Sequence, residues 1–563
     1  MDENSNQNKN KKKSLVTSGI VLSLMTFASR IMGLIREMTK AKFLGTGLYA
    51  DAFTTSFMIP NLLRRLFAEN SISVAFIPTF KGYLADGDSP ENKKNTQDFI
   101  NSTFTLVTFL TSCVVVIGFF VTPLLAMIFC KKPVDVNAAD YTAELNYWLL
   151  KKTEITYLTR VMFPYLLLIS IAAFFQGILN GCKIFAPSGF TPVLFNATVV
   201  LATYLLTPLL TSKIGDAEQA SKAAARAMAI GVTTGGCIQA VFQLPFVLKT
   251  GWKVGFTSIK KCFTNPGTRK VLALIGPTII GMAAYQVNDL VSTALANRAG
   301  TGIASSLQYS LRLQELILGI FAVSIGTVIL PDLSGLAHEK KWDEYNELLV
   351  QAIKIITVIT IPVTFYSLVC GEDLISLLYK KGGFDELSVK LTTGEFRWHI
   401  AGLFFIAMNR IITPAFYAQG NTKLPTMAGI ISMAANVVLA LVLILPMKGN
   451  GIALALSLAS AVNTVFLFIF MKKMNSIKIG KVASATLLYV IKILIFSVIA
   501  AIPVYFLRKF GFSVWFAGHN RIISYGIPAL ILAVIYFIIG VLELIISKDS
   551  IVMVIIRKIR KRK

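Results

Sequence analysis

The stretch ADAFTTSFMIPNLLRRLFAENSISVAFIPTF, residues 50–80, decides how this chain is read. Its two ends are apolar enough for hydrocarbon, but its middle holds Pro60, Asn61, Arg64, Arg65 and Glu69. Burying a charge in a bilayer is costly, so charged residues at such a depth turn toward a cavity or a partner. An overlong apolar element, 48 to 84, broken by a proline and a polar cluster therefore points to a substrate pathway.

A second copy of the element lies further along the chain. GTGLYADAF from Gly45 aligns with GTGIASSLQ from Gly300, and LFAENSISVAFIPTF from Leu66 aligns with IFAVSIGTVILPDLS from Ile320, at a nearly constant offset. The copies differ in charge. The first has Arg64, Arg65 and Glu69 where the second has Leu318, Gly319 and Val323, and the second has Arg312 where the first has Met58.

The rest of the chain is of the same character. Its 563 residues are 55% hydrophobic and 15% charged, against about 25% charged in soluble domains. Apolar runs recur at about 15–37, 48–69, 100–129, 155–180, 187–210, 224–248, 271–296, 303–336, 350–378, 398–418, 424–446, 450–472, 484–507 and 522–547. Most are long enough for about 30 Å of hydrocarbon. The expected fold is an all-α polytopic membrane protein of about fourteen helices. Six helices per copy is an even number, so two six-helix lobes related by a pseudo-twofold axis along the membrane normal are expected, with two extra helices at the C-terminus.

The expected divisions are a basic cytoplasmic N-terminus (1–14), an N-lobe (15–248), a cytoplasmic linker (249–270), a C-lobe (271–474), helices 13 and 14 (475–547) and a basic tail (548–563). The linker holds Lys249, Lys253, Lys260, Lys261, Arg269 and Lys270, which suits either a helix lying on an anionic inner leaflet or a plain solvated loop. The net charge of +26 sits in short loops and tails. It reads as topology, with both termini cytoplasmic, and not as a nucleic-acid surface. The first helix has no cleavage site after it and is expected to stay in the protein. The six cysteines have no C-x-x-C spacing and no nucleotide loop is present, so nothing supports ATP hydrolysis, metal catalysis or a bound cofactor.

Helix 1 adds Ser29, Arg30, Arg36 and Glu37 to an otherwise apolar or small run, and Asp51 stands near the start of helix 2. Residues 30 and 37 share a helical face, as do 65 and 69. Arginine suits phosphate because its planar fork donates two parallel hydrogen bonds and stays charged. Several arginines in one cavity predict a phosphate-bearing cargo. A structural alternative has Arg64 and Arg65 reaching the cytoplasmic surface and Arg30 pairing Asp51 or Glu37.

At SRIMGLIRE (29–37), the 50–80 stretch, YSLRLQELILGIFAVSIGTVILPDLS (309–334) and NRIITPAFYAQGNTKLPT (409–426), the chain resembles the MurJ (MviN) family of lipid II flippases in the multidrug/oligosaccharidyl-lipid/polysaccharide exporter superfamily. The resemblance implies a bacterial inner-membrane transporter, not an enzyme, which moves an undecaprenyl-pyrophosphate-linked peptidoglycan precursor from the inner to the outer leaflet by alternating access. It places the family's substrate-contacting arginines on Arg30, Arg36, Arg64 and Arg312 and its helix 2 acid on Asp51. Ser29, Arg65 and Glu69 belong to the same motifs, and Glu37 stands where the family often has aspartate. The lipid tail is expected in a groove formed with helices 13 and 14. The resemblance also implies a monomer, other cell-wall synthesis proteins as partners, and coupling to membrane potential or Na+. Some relatives bind sodium in the second lobe through two aspartates. Here Asn436 is present, Ala440 stands four residues on, and Asp289 on helix 7 is the acid left to supply such a site. Competing cargoes are another polyprenyl-pyrophosphate glycolipid, which shares the arginine logic, and a drug or cation, which needs acids where this first lobe has an excess of arginine.

Overall fold

Proline, asparagine and aspartate at the helix starts explain where many of the elements begin. Ser89 accepts from the Asn92 amide ahead of Pro90, Asp216 from the amides of Glu218 and Gln219, Asn265 from that of Thr268 ahead of Pro266, and Asp385 from that of Ser388. Each satisfies amides that a helix N-terminus leaves open. The structure is a computed structural model that describes residues 24–66, 72–87, 89–133, 140–211, 216–512, 515–516 and 518–553. At 73, 277–285 and 320–328 it describes the backbone alone.

Every regular element among the described residues is helical. Contacts divide the chain into two units, Met1–Thr301 and Gly302–Lys563. The first holds α1 (24–44), α2 (Leu48–Arg64), a wide-turn segment Ile72–Phe76 that runs into α3 (Ile77–Ala85), α4 (Pro90–Phe129), α5 (Tyr141–Met162), α6 (Pro164–Gly181), α7 (Ala186–Leu210), α8 (Ala217–Lys249), α9 (Ile259–Thr264) and α10 (Pro266–Ala299). The second holds α11 (Ile303–His338), α12 (Trp342–Tyr379), α13 (Glu386–Ala401), α14 (Leu403–Tyr417), α15 (Lys423–Met447), α16 (Gly449–Met471), α17 (Ile479–Phe506) and α18 (Ile527–Ile546).

Ten described helices are long and apolar enough to cross a membrane, with α5–α6 and α13–α14 each counted as one. This supports a multi-pass membrane protein and is fewer than the fourteen crossings expected. The other four fall on α1, α2, α10 and α11. α2 has 17 residues, and the described part of α1 carries Arg30, Arg36, Glu37, Lys40 and Lys42, which lower its hydropathy. α10 and α11 are continuous helices of 34 and 36 residues and contain the segments described by backbone alone.

Within the first unit, helices approach closely through small residues, as membrane helices do where lipid gives them no hydrophobic drive to associate. A Cβ on Gly231 would lie 2.8 Å from the Ala202 Cβ, and one on Gly235 2.9 Å from the Phe195 ring, which is how α7 and α8 pack. Gly177 and Gly181 on α6 likewise admit Ile72, Phe76 and Phe80, and the Phe76 ring continues to Phe99 (5.5 Å) and Phe174 (4.7 Å).

Between α8 and the short α9, which carries Lys260 and Lys261, residues 252–258 are extended, and only Lys253 of the linker's basic residues lies there. The backbone amides of this segment find partners on α4 one turn apart: Lys253 donates to Gln97 Oε1 (3.1 Å), Gly255 to Asn101 Oδ1 (3.1 Å) and Thr257 to Thr105 Oγ1 (2.9 Å). That ladder replaces helical bonds where Gly251 and Gly255 disfavour a helix. Phe256, Ile259 and Phe263 point outward, 71%, 48% and 43% exposed.

In the second unit, α17 and α18 pack through Ala500, Val504, Leu532 and Tyr536 onto Cys370 of α12. Arg508 closes this contact on Asp373 and, at 3.2 Å, on Glu372.

Candidate functional site

The first cluster is built on α1. Arg36 Nη2 donates to Glu37 Oε1 at 2.7 Å, and Lys40 Nζ lies 3.0 Å from Glu37 Oε2. Glu37 and Lys40 are buried. The Arg36 guanidinium lies 5.8 Å from the Phe57 ring centroid on α2 and 6.0 Å from that of Phe195 on α7, so two aromatic rings and a carboxylate orient it. Ser29 and Arg30 are half-buried. Among the described residues neither makes a hydrogen bond or an ion pair, and Arg30 pairs with neither Asp51 nor Glu37.

The second cluster is the end of α2. Pro60 has no amide to donate, so the carbonyl of Ser56 loses its helical partner. Four residues later Arg64 Nε donates to Asn61 Oδ1 at 3.1 Å. Arg65 Nη1 lies 3.5 Å from Asp289 Oδ2 on α10, with both side chains partly exposed. Glu69 lies outside the described residues. α2 stays helical through Pro60 as far as Arg64, and Arg65 keeps helical dihedrals, so the expected interruption does not fall at Pro60, and 67–71 lie outside the described residues.

Asp51, near the other end of α2, is fully buried, and Lys151 Nζ of α5 lies 3.6 Å from its Oδ2. Lys151 and its neighbour Glu154 escape a reading of the sequence because the apolar run starts only at 155, whereas α5 starts at Tyr141. The available signal was their spacing, three residues, which puts both on one helical face. Lys40 was missed too, although it stands three residues after Glu37.

In the second unit Arg312 Nη1 lies 2.7 Å from Glu315 Oε2, one turn on along α11. The same helix is held against α13 by Ser306 Oγ, which donates to Glu395 Oε1 (2.9 Å), and by Ser310 Oγ with His399 Nδ1 (2.6 Å). Of the residues expected to offer oxygens to sodium, Asp289 faces Arg65 in the first unit and Asn436 is buried on α15 in the second, as is Ala440. Ala440 brings no side-chain oxygen.

The family model described as lipid II flippase MurJ matches residues 40–525. The chain is 43% identical to the probable lipid II flippase MurJ of Treponema pallidum (strain Nichols), over 98% of this chain and 99% of that protein. It is 34% identical to the probable lipid II flippase MurJ of Vibrio cholerae serotype O1, over 76% and 77% of the two chains. A solved structure titled lipid II flippase MurJ, inward closed conformation, superposes with a TM-score of 0.73 at 26% identity, covering 94% of this chain and 100% of that one. A multidrug resistance MATE family transporter of the MOP superfamily shares the fold, with a TM-score of 0.58 at 13% identity over 83% of this chain and 99% of that one. With its arginines on α1, α2 and α11 and a family match along most of its length, this chain belongs to the lipid II flippase MurJ family.

Proposed function

We propose that this protein moves lipid II from the inner to the outer leaflet of the bacterial plasma membrane by alternating access. The observation that carries the reading is the set of fixed guanidinium groups in helices of a membrane protein, above all Arg36 held on Glu37 between Phe57 and Phe195. An oriented arginine fork suits the pyrophosphate of a polyprenyl-linked cargo and disfavours a cationic drug. Arg30, Arg36, Arg64 and Arg65 in the first unit and Arg312 in the second are the proposed cargo contacts, with Ser29 beside Arg30 and Glu37 orienting Arg36. Glu69 belongs to the same motif. The lipid tail runs along α17 and α18, whose outward faces include Leu487, Leu488, Ile502 and Phe537. Coupling to membrane potential or to Na+ through Asp289 or Asn436 is the proposed energy source.

The proposed architecture is fourteen crossings in two duplicated six-helix lobes plus α17 and α18, with both termini cytoplasmic. Three observations support the duplication. Gly45 and Gly300 both follow a helix with positive φ, 57° and 151°. Each unit breaks one helix midway, at Phe163–Pro164 and at Gly402. Each also has a cavity beside that helix, of about 510 Å³ along Tyr49, Leu150 and Lys222 and about 730 Å³ along Ile303, Leu391 and Lys448. The linker lies on the anionic inner leaflet, with Phe256, Ile259 and Phe263 in the interface and its lysines toward the headgroups.

The test is replacement in cells depleted of their own lipid II flippase. Growth on this gene supports the reading, and lysis despite normal membrane levels overturns it. Rescue only of cells lacking a transporter for another polyprenyl-pyrophosphate sugar would reassign the cargo.

A further inference from the structure

Two oppositely charged side chains on α5 are almost wholly buried, Lys151 at 3% exposure and Glu154 at 1%. They diverge to two neighbouring helices. Lys151 faces Asp51 of α2. Glu154 Oε1 accepts from Arg226 Nη2 of α8 at 2.9 Å, and Lys222 Nζ lies 3.2 Å away. Further bonds converge on the same half of α2. The Tyr49 hydroxyl donates to Glu218 Oε1 of α8 at 3.0 Å, Asn297 Nδ2 of α10 to Thr55 Oγ1 at 2.8 Å, and Ser56 Oγ to the Ile155 carbonyl at 3.1 Å. The N-terminal half of α2 is thus clamped on three sides. Arg64 stands about 20 Å further along the helix, past Pro60.

A ligand for the cargo needs a face open to it, and Asp51 has none, since it is 0% exposed with the Lys151 ammonium beside it. A carboxylate is also a poor partner for a pyrophosphate. We propose that Asp51 and Lys151 are positioning residues for transport, one arm of a buried charged staple on α5 whose other arm is Glu154–Arg226, and that Asp51 does not bind the cargo. This rests on the lipid II reading. The staple holds one half of α2 still so that the half beyond Pro60 presents Arg64 in register.

The test compares purified Asp51→Asn, Lys151→Met, the double variant and Arg36→Ala for lipid II affinity, for lipid II translocation in proteoliposomes and for thermal midpoint. Each single change breaks the buried Asp51–Lys151 pair from one side, and the expected loss of translocation is roughly tenfold or more. Lipid II affinity stays within about threefold of wild type, unlike Arg36→Ala, where a charge-assisted bond to the cargo is lost. The double variant recovers translocation. A double variant that folds with the wild-type midpoint but stays as inactive as Asp51→Asn overturns the proposal, as does an affinity loss matching that of Arg36→Ala.

Carbodiimide footprinting of the wild-type protein decides the matter without any substitution. Asp51 is expected to stay unreactive with and without lipid II, and labelling that lipid II suppresses would place it at the cargo. Wild-type protein that neither binds nor moves lipid II refutes the flippase reading instead, and footprinting without cargo still judges the staple.

Discussion

Lys40 lies 3.0 Å from Glu37 on the side of the carboxylate away from Arg36, and both Lys40 and Glu37 are buried. Glu37 therefore answers two cations with one charge. The triad keeps a net positive charge, and Arg36 is its most exposed member, with a side chain 15% exposed. An anion-binding group in a membrane needs a fixed orientation and a face open to the anion.

Arg36→Lys should impair function although it keeps the charge. Lysine loses the planar fork and the stacking between Phe57 and Phe195. A charge-assisted hydrogen bond contributes about 1.5–3 kcal/mol, so translocation at limiting lipid II should fall roughly ten- to hundredfold. Arg64→Lys and Arg312→Lys should behave alike. Full activity of all three in a translocation assay would reduce the arginines to a general positive field.

Glu37→Gln should act on stability more than on binding. It removes the carboxylate 3.0 Å from the buried Lys40 ammonium, and breaking a buried pair from one side destabilises by about 3–5 kcal/mol. A lower thermal midpoint and lower membrane level are expected, with partial recovery in Glu37→Gln/Lys40→Met. A wild-type midpoint for the single variant would show the triad to be solvated.

Gly235→Val tests the packing of α7 on α8. Even a Cβ at this position would sit 2.9 Å from the Phe195 ring. Overpacking of this kind destabilises by about 1–3 kcal/mol, and here it also displaces one of the two rings beside Arg36. Both the thermal midpoint and lipid II affinity should fall. Gly480→Val, with nothing within 4 Å of its Cβ position, is the control.

Lys260→Cys in a background lacking the six native cysteines tests the topology. An impermeant thiol reagent should modify it only from the cytoplasmic side, because the linker is basic and positive loops stay inside. Labelling only from outside would reverse the orientation of every helix.

Arg508→Ala should loosen α17 and α18 from α12. Asp373 then loses its guanidinium partner while Cys370 and Tyr536 keep their apolar contact. Protein levels should drop modestly, and lipid II translocation should fall more than binding if the tail runs along these helices. Unchanged translocation would separate α17 and α18 from the transport path.

Much of this protein was determined by its sequence alone. Apolar runs longer than 18 residues admit only helices in a bilayer, because every backbone amide and carbonyl must then be satisfied within its own segment. The all-helical class and the arginine set on α1, α2 and α11 followed from local composition. What the tertiary structure decided was which charge meets which. Asp51 faces Lys151 and not Arg30, Glu154 faces Arg226, Asp289 faces Arg65, and residues 253–257 of the linker lie extended on Gln97, Asn101 and Thr105. These partners stand tens to hundreds of positions apart in the chain. Ion pairs act over a few ångströms, so which of them form depends on helix rotation and on the glycines that let helices approach, quantities that no local pattern of residues carries.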